Sequence, residues 1–78
     1  MNWTIRYHRQ ATAAIYRIER GTAATVTEAI RQLARNPRPP ESQPLPDRPD
    51  SYSIEPAGHS VVYELLESER IVHIVFIA

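Results

Sequence analysis

Between residues 2 and 8 apolar and polar positions alternate, with Trp3, Ile5 and Tyr7 set against Asn2, Thr4, Arg6 and His8. A period of two in β-favouring residue types predicts a half-buried strand. From Gln10 the spacing lengthens: Ala11, Ala14, Ile15 and Ile18 recur at three and four, which predicts a helix with Tyr16 and Arg17 on its flank. Gly21 falls where a helix ends in a left-handed residue, and Thr22 is placed to cap a second helix. That helix carries Ala23, Val26, Ala29, Ile30 and Leu33 on one stripe and stops at Asn36-Pro37. The two stripes predict a helical hairpin.

Residues 36–50 hold Pro37, Pro39, Pro40, Pro44, Pro46 and Pro49, a density that excludes a central strand because proline has no ladder donor. Leu45 is the one large apolar residue of this loop and is expected to anchor it. Three strand-like runs follow, at 51–55, 59–66 and 70–77, joined by Pro56-Ala57-Gly58 and Glu67-Ser68-Glu69. The expected architecture is a single α+β domain over 1–78. Its order is β-α-α-β-β-β, with a four-stranded, mainly antiparallel sheet, the first strand at an edge, and the helical hairpin over one face.

Composition narrows the chemistry. A 78-residue chain offers one thin core, and without cysteine it has neither a disulfide nor a thiolate metal site. No close His/carboxylate cluster is visible, so no metal and no cofactor is expected. Nine arginines balance nine acids, which removes the basic excess typical of nucleic-acid binders. With no long apolar stretch and a charged N-terminal segment, the expectation is a cytoplasmic protein without membrane contact.

Several side chains admit a chemical role beside a plain one. His73 sits between Ile71 and Val75 in a run apolar on both faces, the setting of a satisfied sheet histidine. His59, beside a turn, fits either a structural or an acid–base role. His8 ends the first strand and is read as exposed. Tyr63 reads as a core tyrosine with a bonded hydroxyl. Arg31, Arg35 and Arg38 run from the second helix into the loop, as a solvated face or as a grip on an acidic partner or on phosphate. Trp3 reads as packing or as an edge-strand contact.

Particular segments point further. Trp3-Thr4-Ile5-Arg6-Tyr7 opens the chain, and Ala29-Ile30-Arg31-Gln32-Leu33-Ala34-Arg35-Asn36-Pro37 closes the second helix. Leu45 precedes the sheet, and Tyr52-Ser53-Ile54-Glu55 and Ser60-Val61-Val62-Tyr63-Glu64-Leu65 form paired strands. In this order and spacing the chain resembles toxins of the RelE/ParE superfamily. The resemblance implies the toxin of a type II toxin–antitoxin pair, silenced in a heteromeric complex by a cognate antitoxin. It implies a target that is mRNA on the ribosome in the RelE branch or DNA gyrase in the ParE branch.

Family members place arginines on the sheet face where this chain alternates Ser53, Glu55, Ser60 and Glu64. The chain also runs to Ala78 without the short cationic tail common in the family. The expectation is therefore a toxin with weak or altered nuclease activity. Should a nuclease site exist, Arg48, His59, Tyr63 and Arg70 are its candidates, since RNA cleavage needs cations at the phosphate and a group to move the 2′-hydroxyl proton. Trp3, Arg31, Arg35 and Arg38 are the candidate partner-binding residues. A ribosome-dependent endonuclease, a gyrase inhibitor and a non-toxic scaffolding or regulatory module on the same fold are the alternatives.

Overall fold

The computed structural model describes residues 2–78. Its elements are β1 (Thr4–Tyr7), α1 (Arg9–Arg17), α2 (Arg20–Gln32), β2 (Gln43–Pro44), β3 (Ser51–Ile54), β4 (Val61–Leu66) and β5 (Ile71–Ile77), with a 3-10 turn at Pro56–Gly58. The sheet has the order β1-β5-β4-β3-β2. β1 pairs in parallel with β5, and every other pairing is antiparallel. The sheet thus has five strands rather than four. The added one, β2, is a two-residue edge strand inside the proline-rich segment, where Pro44 opposite Tyr52 leaves no central ladder donor missing.

Alternation fixes the two faces. Tyr52 and Ile54 of β3, Val61, Tyr63 and Leu65 of β4, and Val72, Ile74 and Ile77 of β5 turn inward. They form one cluster with Ala11, Val26, Ile30 and Leu33 of the helical segment. Both helices therefore cover the same face. The opposite face carries Ser53, Val62, Glu64, His73 and Phe76 and has no helix over it. Between Val62 and Tyr63 the pairing with β5 slips, leaving Val75 as the extra residue of a bulge.

The helix junction differs from its expected form. α1 ends at Arg17, Ile18 is extended, and α2 begins at Arg20, so Gly21 lies inside α2 rather than after α1. Glu19, not Thr22, is the cap: its carboxylate accepts from the Thr22 amide at 3.0 Å. The amides of Gly21 and Thr22, in that order, hold the Glu19 carboxyl below the ordinary carboxylate range. A depressed folded-state value means that its contribution is present above the unfolded value and lost as pH falls through the folded one. The midpoint of thermal unfolding is expected to drop on acidification below pH 4.5, and to drop less in Glu19→Gln; equal slopes would show the cap contributes nothing.

His8 also has a structural role: its Nδ1 accepts the Gln10 amide at 3.0 Å and caps α1. Gln10 in turn clamps the end of β5. Its side-chain Nε2 donates to the Ile77 carbonyl at 3.3 Å, and the Ile77 amide donates to its Oε1 at 3.2 Å. β1 stops at Tyr7 while β5 continues to Ile77, so this amide replaces the missing strand partner.

Leu45 is only half buried and stands outside the core cluster. The loop is held instead by polar contacts. Tyr63 donates its hydroxyl to the Pro37 carbonyl at 2.8 Å, and Ser42 donates to the Pro39 carbonyl at 2.8 Å. The Arg38 Nε donates to the Tyr52 hydroxyl at 2.9 Å. Proline fixes φ along the segment, so few contacts suffice to order it.

Candidate functional site

The nuclease candidates do not converge. Tyr63 is fully buried on the helix-covered face, stacked on Tyr52 with ring centroids 6.0 Å apart. Burial pushes its hydroxyl up to about 12, and that hydroxyl is already committed to Pro37. His59 precedes β4, where Val61 faces Ile77, and its Nδ1 lies 3.1 Å from the Ala78 carbonyl. Arg70 occupies the turn at the other end of the same hairpin, where Leu66 faces Ile71. At about 3.4 Å per residue that separates them by roughly 20 Å along the strands. Arg48 lies at Arg70's end: its carbonyl accepts the Ser51 amide, and Ser51 faces Glu64. Arg70 itself adopts φ 56°, a left-handed turn position.

Across the uncovered face, register aligns two rows of side chains. One is Phe76, Val62, Ser53 and Gln43; the next is Arg6, His73, Glu64 and Ser51. In the second row His73 Nδ1 meets the Glu64 carboxylate at 3.0 Å, so each is partnered within the sheet. Beside the first row opens a groove of about 330 Å³ lined by Glu41, Gln43, Ser53, Ile54, Glu55 and Pro56. It holds two carboxylates and no cation, and Ser60 donates to the Glu55 carboxylate at 3.4 Å. A groove of this charge attracts cations and repels phosphates. Among the described residues, no group of three or more His, Asp or Glu side chains could hold a metal ion. Among the described residues no helix is long and apolar enough to cross a membrane.

A second surface lies along β1, the other end of the sheet order. The amides of Thr4 and His8 turn inward to carbonyls of Arg70 and Ile74, so by alternation the main-chain groups of Ile5 and Tyr7 face the free edge. An apolar groove follows this edge, walled by Ile5, Tyr7, Ile15, Tyr16, Thr27 and Ile30, with Arg31 at its rim. Tyr16 is 85% exposed. Desolvation raises the Tyr7 hydroxyl's pKa, partly opposed by the Arg31 guanidinium.

Three of the four partner-binding candidates gather on this flank. Arg31 rims the groove and pairs with Glu28 at 3.0 Å, both side chains largely in solvent. Trp3 is half buried against the core, its amide donating to the Ala34 carbonyl at 2.7 Å, with Arg35 exposed beside it. Arg38 lies elsewhere. Its guanidinium sits 5.4 Å over the Tyr52 ring and is ion-paired with Glu67, which, ahead of the bond to Tyr52, raises its pKa above the ordinary arginine value. Tyr7 and Tyr16 were not singled out by sequence. The available signal was that Tyr16 lies off the apolar stripe of α1, a position where a large aromatic has no core to enter.

Comparison with solved structures places the fold. The free E. coli toxin RelE, as a double-arginine variant, aligns with a TM-score of 0.86 at 16% identity, covering 100% of this chain and 83% of that one. The toxin–antitoxin complex RelE–RelB from Pyrococcus horikoshii aligns with a TM-score of 0.86 at 18% identity, covering 99% and 93%. A RelBE toxin–antitoxin complex from Mycobacterium tuberculosis aligns with a TM-score of 0.83 at 21% identity, covering 99% and 96%. At these identities the likeness is one of fold. No curated protein matches the chain in sequence. A family model does: "ParE toxin of type II toxin-antitoxin system, parDE" matches residues 5–78. Nearly the whole chain is matched, from β1 through the last strand, and it belongs to the ParE toxin family of type II toxin–antitoxin systems.

Proposed function

We propose that this toxin acts by binding its target rather than by cutting RNA, and that a cognate antitoxin silences it by seating a segment along the β1 edge. The observation that carries the first half is the groove on the uncovered sheet face, which presents Glu41 and Glu55 and no cation. In-line attack by a 2′-hydroxyl needs positive charge at the scissile phosphate. Here Arg48 and Arg70 stand at one end of the sheet, His59 at the other, and Tyr63 under the helices.

The β1 edge supports the second half. Free main-chain groups at Ile5 and Tyr7 can accept an added strand, and the flanking apolar groove gives such a segment side-chain pockets. Arg31 and Arg35 favour an acidic segment, with Trp3 as apolar backing. The RelE toxins of P. horikoshii and M. tuberculosis form complexes with their antitoxins, which agrees with this reading. Within the family resemblance, DNA gyrase fits a toxin of this charge better than ribosome-bound mRNA does.

Induction of the chain alone in bacteria, with transcript ends mapped and plasmid supercoiling followed, tests the proposal. Growth arrest with intact mRNA is expected, and a change in supercoiling would identify gyrase. Codon-periodic cuts in mRNA would establish the endonuclease instead. Normal growth would leave the scaffolding module.

A further inference from the structure

The chain's zero net charge is the sum of two unlike halves. Residues 1–38 contain seven arginines against Glu19 and Glu28, a net of +5, while residues 39–78 contain Arg48 and Arg70 against seven acids, a net of −5. The fold assigns the halves to different elements, joined by the β1–β5 pairing and the Arg38–Glu67 ion pair. The positive one forms β1 and the helices that cover the core, and the negative one forms β2 to β5, whose other face is open. On that open face an apolar step, Val62 beside Phe76, which is 45% exposed, adjoins the groove holding Glu41 and Glu55. Neither carboxylate is in an ion pair among the described residues. Glu64, the remaining acid of this face, is taken by His73.

We propose that this face is the toxin's target-docking surface and that its occupant is a protein segment carrying arginine or lysine next to an apolar side chain. The inference rests on the reading of this chain as a toxin that binds its target. Charge complementarity selects the occupant. Two unpaired carboxylates in a concave groove attract a cationic side chain, and their field repels the phosphates of RNA or DNA. The Val62–Phe76 step distinguishes a protein segment from a small cation or polyamine, which has no apolar partner to offer. Ser53 and Gln43, between the apolar step and the carboxylates, supply short-range polar contacts without a counter-charge.

The test has two parts. Isotope-labelled toxin is titrated with an amphipathic peptide of alternating arginine and leucine, with the same peptide bearing glutamate for arginine, and with single-stranded RNA. The arginine peptide is expected to shift the amide signals of Ser53, Glu55, Val62 and Phe76, and the other two probes are not. Shifts with RNA, or arginine-peptide shifts confined to the β1 flank, would overturn the proposal. In cells, Glu41→Lys combined with Glu55→Lys is expected to weaken growth arrest, raising surviving colonies by roughly tenfold or more. The near-isosteric pair Glu41→Gln with Glu55→Gln is expected to act in the same direction, with thermal unfolding checking that both variants fold. Unchanged arrest in folded variants would remove this docking surface while leaving a binding toxin intact. Codon-periodic mRNA cuts by the unaltered chain would remove the binding toxin itself.

Discussion

Replacing Tyr63 with alanine is expected to cost about 3–5 kcal/mol of folding stability, against about 1 kcal/mol for Tyr63→Phe. Tyr63 has no exposed surface, belongs to the core cluster, and stacks on Tyr52. Alanine removes the ring and leaves a cavity between sheet and helices that neighbouring side chains fill only in part. Phenylalanine keeps the ring and removes only the bond to the Pro37 carbonyl. A domain of this length has about 4–12 kcal/mol in total, so the alanine variant stands at the limit of folding. Denaturant unfolding of both variants measures the difference. Equal losses would mean that the hydroxyl, and hence the tie to the loop, dominates over the ring.

The same residue predicts an alkaline transition. Burial, the largest cause, raises its folded-state pKa from the ordinary 10.0 to about 12. The unfolded chain therefore releases this proton first. The contribution is complete below pH 10.0 and is lost as pH rises toward about 12. Tyr63→Phe is expected to flatten stability across that interval, and an unchanged slope would assign the transition to other tyrosines.

Gln10→Ala is expected to cost about 1–3 kcal/mol and to speed amide exchange at Ile77 more than elsewhere in β5. One side chain satisfies both the amide and the carbonyl of Ile77 in a partly buried setting. Without it both groups lose their partner where β1 has already ended. Urea unfolding with site-resolved exchange measures the loss. An unaltered exchange rate at Ile77 would show that solvent replaces the amide at no cost.

Most of the fold was legible because each core strand keeps one strict alternation. Tyr52 with Ile54, and Val61 with Tyr63 and Leu65, can point inward in only one register. The helix junction was misread because glycine and threonine are common termination and capping signals, whereas the cap here is a carboxylate, Glu19, placed before both. β2 was missed because two residues carry no periodicity, and one of them is a proline acceptable only at an edge. The open face was read correctly in its residues Ser53 and Glu64, since alternation alone assigns them. What the sequence could not convey was the distance between Arg70 and His59, which the β4–β5 hairpin sets, or the exposure of Phe76, which depends on a bulge.

The parallel pairing of β1 with β5 ties the first strand of this fold to its last. Until β5 is available, β1 has no neighbour in the sheet and the helices lack Val72, Ile74 and Ile77 to pack on. A topology of such long sequence separation closes late and cooperatively, because loop entropy is lost before the contacts form. Either surface described above thus comes into being only once β5 has joined the sheet, so each is a property of the completed fold and of no smaller piece of it.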